Sequence, residues 1–332
     1  MNILVTGGAG YIGSHVVTVL SEAGHNVVIY DNLSNSQSDI SQRLYQVTGK
    51  NISIVVGDVR DRFGIVDALK SFSIDAVLHL AGLKSVADSV SNPLAYYDNN
   101  LYGAISLVTA MNEVGCKLLI FSSSATVYGL PKYLPYDEEH PTHPINPYGC
   151  SKLTVERILS DLVKSDPEWS VASLRYFNPV GSHFSSIIGE HPKGYPNNLM
   201  PYIVQVASGQ RKYLNVFGND YSTIDGSGVR DYIHVMDLVE GHEAALNYIL
   251  CHKGLNIFNL GTGKGVSVFD MIRAFESATS KSVPYKIIPR RVGDIAAFYA
   301  DSTKAGRELG WYAKRDLSEM CLSSWNFFKN IN

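Results

Sequence analysis

Cysteine is scarce. The four thiols in 332 residues, Cys116, Cys150, Cys251 and Cys321, are too widely spaced for a disulfide framework or a zinc ligand set and read as ordinary thiols. Runs of basic residues are also lacking, and the formal net charge is only −3, which argues against nucleic acid or an anionic membrane as the main partner. No apolar run approaches the roughly 20 residues needed to cross a bilayer, and a strand beginning at Asn2 leaves no room for the regions of a secretory leader. The chain is therefore expected in the cytosol. Internal repeats, low-complexity tracts and long linkers are missing as well. What remains is a chain that is 45% hydrophobic, long enough for a large core and for two domains of unequal size.

Gly7, Gly10 and Gly13 interrupt the stretch that begins with the apolar residues Ile3, Leu4 and Val5. A strand is expected to run into a tight turn after Thr6, let bare backbone approach a pyrophosphate near Gly10, and enter a helix packed closely at Gly13. The helix N-terminus then offers unsatisfied N–H donors and partial positive charge to phosphate. A second strand, Asn26 to Tyr30, ends at Asp31, 18 residues past Gly13, where a carboxylate can accept both hydroxyls of an adenosine ribose. An acid there favours NAD, because a 2′-phosphate would be repelled.

Strand and helix alternate through the first half. Strands are expected at Ile52–Val56, Asp75–Leu80, Lys117–Ser124 and Ser170–Phe177, and helices near Asp61–Ser71, Pro93–Val114 and Pro147–Lys164. This rhythm predicts an α/β fold of the Rossmann type, a doubly wound parallel sheet with ligands at the carboxyl ends of its strands. Residues 1–178 are expected to form that domain. The rest, 179–332, begins with a loop-rich stretch that includes Gly194-Tyr195-Pro196-Asn197-Asn198 and is expected to be mainly a smaller α/β substrate domain. Periodicity then predicts a helix over Asp237–Leu250, a strand over Ile257–Leu260, and helices over Ser267–Thr279 and Asp316–Lys329. Segments near 230–262 are expected to return to the first domain.

Asn146 can cap a helix that starts at Pro147, which places Tyr148 and Lys152 one turn apart on one face. Among 20 tyrosines a Tyr-x-x-x-Lys spacing arises by chance, and Tyr128/Lys132 is a second match, but Gly129 and Pro131 spoil that pair as a helix. Moving a phenol from a pKa of about 10 to about 7 requires roughly 4 kcal/mol in favour of the phenolate. Lys152 and a positive nicotinamide ring could each contribute on the order of 2–3 kcal/mol. Ser124 ends an apolar strand at Phe121-Ser122-Ser123-Ser124, so its hydroxyl is expected at the same carboxyl edge, sharing a substrate proton with Tyr148. His15 and His25 read as surface residues rather than ligands, since no Asp, Cys or His neighbour completes a metal site. Tyr96 and Tyr97, near Tyr102, read as helix-packing residues.

These residues resemble the extended short-chain dehydrogenases/reductases and, within them, the UDP-galactose 4-epimerases, over nearly the whole chain. The resemblance is carried by Val5-Thr6-Gly7-Gly8-Ala9-Gly10-Tyr11-Ile12-Gly13, Asp31-Asn32-Leu33, Gly57-Asp58, Ala81-Gly82-Leu83-Lys84 and Tyr97-Asp98-Asn99-Asn100. Further along it rests on Ser122 to Gly129, Arg175-Tyr176-Phe177-Asn178-Pro179 and Arg230-Asp231-Tyr232-Ile233-His234-Val235. It implies that Tyr11 and Ile12 flank the pyrophosphate, Asp31 and Asn32 the ribose, and Asp58 and Val59 the adenine. Leu80, Ala81, Gly82, Lys84, Asn99, Tyr148, Lys152 and Phe177 would complete the NAD site towards the nicotinamide. For a UDP-sugar it implies Lys84, Ser124, Thr126, Tyr148, Asn178, Asn198 and Leu199, then Val216, Phe217, Arg230, Arg291, Asp294 and Phe298, with no metal. Aromatic and arginine types suit a uracil ring and a diphosphate.

The implied activity is an isomerase of galactose metabolism that interconverts UDP-glucose and UDP-galactose. It would oxidise C4 to a transient 4-keto sugar, turn the sugar, and reduce it on the other face, with a tightly bound, recycled NAD. A homodimer through Pro93–Val114 and Pro147–Lys164 is implied too. The nearest rivals are a 4-epimerase of another UDP-sugar and a nucleotide-sugar 4,6-dehydratase. Dehydratases commonly carry an Asp-Glu pair just after the strand-end hydroxyl, where this chain has Ala125 and Thr126. A non-enzymatic NAD sensor on the same fold would have no need of Ser124, Tyr148 and Lys152 together.

Overall fold

A computed structural model of the chain describes residues 1–191, 194, 196, 198–291 and 293–331. Tyr195 and Asn197 of the expected loop stretch lie outside the described residues, as does Val292.

Short apolar runs set the main sheet. β1 (Asn2–Thr6), β2 (Asn26–Asp31), β3 (Ser53–Val56), β4 (Ala76–His79), β5 (Leu118–Ser124) and β6 (Ser170–Tyr176) show little polar alternation, and all but the edge strand β3 are largely buried, as strands covered on both faces require. Helices α1 (Tyr11–Glu22), α2 (Ile40–Thr48), α3 (Arg62–Ser71), α4 (Val86–Ser91), α5 (Pro93–Tyr96), α6 (Gly103–Val114) and α7 (Pro147–Ser165) fall between them. The doubly wound fold expected from the alternation is the fold observed, and α2 and α4 are helices that it did not include. The expected helix over 93–114 contains a wider π-type turn at Tyr97–Tyr102. That turn presents Asn100, whose amide accepts from Leu83 N at 2.8 Å and donates to Leu83 O at 3.0 Å, pinning the loop that leaves β4.

After β7 (Asn178–Val180) come α8 (Leu199–Ala207), β8 (Leu214–Phe217), β9 (Val229–His234), α9 (Val235–Ile249) and β10 (Gly254–Leu260). β11 (Gly265–Ser267), α10 (Val268–Thr279), β12 (Tyr285–Ile288), β13 (Ala297–Phe298), α11 (Thr303–Leu309) and α12 (Leu317–Ile331) complete the chain. β10 pairs with β6 in parallel and becomes the seventh strand of the large sheet, whose order is β10-β6-β5-β4-β1-β2-β3. β9 instead joins β7, β11 and β13 in a four-stranded sheet, and β8 pairs with β12. Of the 230–262 stretch, therefore, α9 and β10 lie on the large sheet and β9 lies off it.

Two clusters of buried side chains cover the faces of the large sheet. One draws on α1, α9 and β10, and the other on α3, α6 and α7. A third fills the second unit between α8, α10 and α12. A small fourth cluster gathers Phe177, Phe298, Tyr128, Tyr136 and Leu153, the last being the residue after Lys152 on α7.

Candidate active site

β1 and β4 are neighbours, and the chain leaves them towards opposite edges of the sheet, which opens a crevice at their carboxyl ends. Gly7 turns the chain there with φ +69°. A Cβ on Gly13 would stand 2.1 Å from the Gly7 carbonyl oxygen and 2.7 Å from Gly8 Cα, both backbone atoms that no rotamer change can move. Only glycine lets α1 begin this near the strand. Gly13→Ala is accordingly expected to lower the thermal midpoint, with a cost of a few kcal/mol, and to weaken dinucleotide retention. Melting curves with and without added NAD measure both effects, and an unchanged midpoint would refute the packing argument.

The crevice has a volume of about 370 Å³. Gly10, Tyr11 and Ile12 form one wall, Asp31 and Asn32 close the β2 end, and Val59 lies beside them. Leu80, Ala81, Gly82 and Lys84 form the β4 side, with Asn99 and Ser122 at the far end. Asp31 is buried, and its two carboxylate oxygens accept from Ala9 N at 3.0 Å and Leu33 N at 2.8 Å, tying the glycine loop to the loop after β2. Asp58 is not on the wall. Its carboxylate pairs with Arg60 at 2.8 Å and accepts from Asn32 Nδ2 at 3.3 Å, and Arg60 holds it well below the usual carboxylate range.

One wall of the crevice was invisible in the sequence. Ile187 to His191 line it, joined by Gln37, Arg43 and Phe327 of α12. Arg43 donates to the Ile187 carbonyl at 3.0 Å and Gln37 to that of His191 at 2.9 Å. Glu190 accepts from Asn198 at 2.6 Å and pairs with Lys84 at 3.3 Å, so two expected ligand residues from distant parts of the chain meet on one carboxylate. The bonds from Gln37, Arg43 and Lys84 to this wall span more than a hundred residues and leave no periodic trace.

His15 is a correction: it is fully buried, not at the surface. Its ring packs edge-on against Tyr11 at 5.3 Å and bonds the Tyr11 carbonyl at 2.7 Å, and burial pushes its pKa down to about 3.

Asn146 caps α7 by accepting from Gly149 N at 2.8 Å, with Pro147 in the first turn, as the spacing predicted. Tyr148 and Lys152 share a face of this helix, opposite the end of β5. Ser124 accepts from Thr126 N at 3.2 Å and from Thr126 Oγ1 at 2.9 Å, which fixes its hydroxyl at the strand end, facing Tyr148. Tyr96 packs edge-on to Tyr148 at 6.4 Å and donates to Ser85 O at 2.6 Å. The rival Tyr128 is buried, donates to Asn259 at 2.7 Å, and is followed by Gly129 with φ +73°, so no helix places Lys132 beside it.

The expected depression of the phenol by Lys152 is not found in the protein alone. Burial raises the Tyr148 pKa, with the Ser124 hydrogen bond opposing it. The Lys152 ammonium is turned onto the Ser122 carbonyl at 2.6 Å and over the Phe121 ring at 4.9 Å, and burial lowers its own pKa to about 8.

The expected sugar-nucleotide residues gather in pairs. Arg230 and Asp294 form an ion pair. The Arg291 guanidinium lies over the Phe217 ring at 4.1 Å. Phe298, opposite Arg230 in the β13–β9 register, packs against Phe177 at 5.3 Å and Tyr136 at 4.8 Å. Asn198 stands at the start of α8 with Leu199 next to it, and Asn178 begins β7. Val216 points into the core of the second unit, so only its backbone is free to face a ligand.

A glycine loop at the switch point of a parallel sheet, with a helix-borne Tyr-Lys pair facing a strand-end serine, defines an extended short-chain dehydrogenase/reductase. A family model described as GDP-mannose 4,6 dehydratase matches residues 4–323. The UDP-glucose 4-epimerase of Bacillus subtilis (strain 168) is 54% identical over 333 residues, covering 100% of this chain and 98% of that protein. The crystal structure of UDP-glucose-4-epimerase from Stenotrophomonas maltophila with bound NAD and formylated UDP-arabinopyranose matches with a TM-score of 0.98 at 49% identity, covering 100% of this chain and 98% of that one. That of the Bifidobacterium longum UDP-glucose 4-epimerase in complex with NAD+ and UDP matches with a TM-score of 0.96 at 49% identity, covering 99% and 98%. The chain belongs to the UDP-glucose 4-epimerase family.

Proposed function

We propose that the chain is an NAD-dependent UDP-glucose 4-epimerase that interconverts UDP-glucose and UDP-galactose. The observation that carries this reading is the convergence of Ser124, Tyr148 and Lys152 at the end of a crevice whose glycine cradle would be filled by a single Cβ. The crevice suits the dinucleotide: donors near Gly10 to Ile12 for the pyrophosphate, Asp31 for the ribose, and Lys84, Asn99, Lys152 and Phe177 towards the nicotinamide. When bound there, NAD+ would supply a hydride acceptor for sugar C4 and a positive charge that favours a phenolate.

The chain's own residues move the proton. Tyr148 as phenolate removes the C4 hydroxyl proton, with Ser124 bridging, and returns it after the sugar has turned. Lys152 as ammonium favours the phenolate. Arg230 and Arg291 grip the diphosphate, Phe217 offers a face to uracil, and Thr126, Asn178, Asn198 and Leu199 border the sugar. The site must hold UDP firmly and the hexose loosely, because the keto sugar has to rotate about the diphosphate. Ala125 and Thr126 after Ser124 supply no carboxylate, which disfavours a 4,6-dehydratase. In this reading residues 1–178 chiefly hold NAD and 179–332 chiefly hold the UDP-sugar.

Among the described residues no helix is long and apolar enough to cross a membrane. We place the enzyme in the cytoplasm as a homodimer. Leu94, Tyr102 and Ile105 stand exposed on the α5–α6 run, an apolar face that a second copy could cover beside α7.

Because hydride leaves and returns within one turnover, the purified protein is expected to convert UDP-galactose to UDP-glucose with no added NAD and no net NADH. Chromatography of the sugar nucleotides and absorbance at the NADH band test this. Strict dependence on an external oxidant with NADH release would identify an ordinary dehydrogenase instead.

A further inference from the structure

The reaction described above leaves unexplained a charged cluster buried one helical turn below it. Glu156 follows Lys152 by four residues on α7, and it and Arg175 of β6 each expose only 4% of their side chains. Glu156 Oε2 accepts from Arg175 Nη2 at 2.7 Å, and Oε1 accepts from Arg175 Nε at 3.0 Å, Ser173 Oγ at 3.0 Å and Ser123 Oγ at 2.6 Å. Arg175 also donates to Tyr128 at 3.0 Å. Stability is a weak reason for such a pair, since desolvation offsets most of the attraction and apolar replacements usually serve as well.

Its placement suggests another reason. Ser123 lies between Ser122, whose carbonyl holds the Lys152 ammonium, and Ser124, which faces Tyr148. The carboxylate is thus bonded to the middle of the segment that carries both partners. It also acts on Lys152 as a nearby negative charge. From β4, His79 faces Lys152 as a neutral ring, its pKa pushed down to about 3 by burial and by the lysine charge. From β6, Tyr176 is a neutral phenol raised far above its ordinary range and bonded to His242, and Arg175 stands on Glu156. Tyr148 stands one turn before Lys152 on the same helix.

We propose that Glu156 is a positioning residue of the reaction: through Ser123 it locks α7 to β5, and its carboxylate, one turn along α7, stabilises the charged form of Lys152. The inference rests on the assignment of Tyr148 and Lys152 to proton transfer. Burial already brings Lys152 down to about 8, and Glu156 opposes the fall. Across several ångströms at an effective dielectric near ~20, loss of this charge would lower Lys152 by roughly one to two pH units further.

The test compares the wild type, Glu156→Gln, Glu156→Asp and the double variant Glu156→Gln/Arg175→Met, the last removing both buried charges in case the single change prevents folding. Each is followed by the pH profile of UDP-galactose epimerisation and by NMR titration of 13Cε-labelled lysine, with Lys152→Met assigning the resonance. Glu156→Gln is expected to move the basic limb of the rate profile and the Lys152 titration down together by about one to two units. The double variant moves both in the same direction by less, because Arg175 partly offsets Glu156, and Glu156→Asp keeps both near the wild-type positions. Coincident limbs and an unmoved titration in a folded variant, or an Asp variant shifted as far as Gln, would overturn the proposal. An inactive wild type whose Lys152 titration still responds to Glu156 would instead overturn the assigned reaction and leave the electrostatic link standing.

Discussion

Tyr148→Phe is expected to cut UDP-galactose turnover by about 10²–10⁴-fold while leaving folding and NAD retention in place. The substitution keeps the ring that packs against Tyr96 at 6.4 Å and removes only the oxygen that faces Ser124. Among the described residues no other group at this end of the crevice is suited to take its place. A serine hydroxyl is too weak an acid to serve, Lys152 is held on the Ser122 carbonyl, and His79, buried nearby, has its Nδ1 bonded to Thr6 at 2.7 Å. The phenol must also be brought down: burial alone raises it, so the phenolate depends on Lys152 and on the positive ring of bound NAD+. The acid limb of the rate profile should therefore belong to Tyr148. Steady-state kinetics with circular dichroism and measurement of retained NAD separate loss of chemistry from loss of fold. Turnover near the wild-type rate in the Phe variant would remove tyrosine from the mechanism.

Phe298→Ser is expected to raise activity on UDP-N-acetylglucosamine by one to three orders of magnitude, while the native enzyme prefers UDP-glucose and UDP-galactose. The resemblance places this side chain against the group on sugar C2. In the structure it lies between Phe177, on the expected nicotinamide side, and the register partner Arg230, on the expected diphosphate side. It is 8% exposed and backed by Tyr136, so the ring has little room to swing away from an added acetyl group. Overlap with that group would cost a few kcal/mol, which sets the size of the expected rate difference. Removing the ring also empties part of the small cluster beneath the site, so a lower melting temperature should accompany the gain. Rates with both substrates on native and Phe298→Ser protein decide the matter. A native enzyme equally fast on the acetylated sugar would show that Phe298 only packs.

Much of the site could be read in one dimension because its parts are local. The glycine spacing, Asp31 at the end of an apolar run, and the Asn146-Pro147 start of α7 each depend on a few neighbouring residues, and the structure places them as read. Tyr148 and Lys152 follow from the helical repeat alone. His15 was misread for the same reason in reverse. Its local setting on α1 is ordinary, and it is buried among residues far along the chain, with His183, Ile188 and His234 beside it. The depressed phenol was likewise inferred from types and spacing, whereas the orientation of Lys152 is set by the Ser122 carbonyl on β5.

By itself the sequence determined the doubly wound parallel sheet, the crevice at its switch point, and the helix that carries Tyr148 and Lys152. Buried-strand composition, glycine geometry and the 3.6-residue repeat act over a turn or two of chain. The tertiary structure alone decided which of those parts meet. It brought Glu156 onto Ser123, Lys84 and Asn198 onto Glu190, and Phe298 onto Phe177. It also assembled the second unit from strands as short as Ala297–Phe298, Asn178–Val180 and Gly265–Ser267. Two or three residues are too few to show any period, and such strands exist only through pairing with β9, far away in the chain, where hydrogen-bond partners rather than local patterning fix the register.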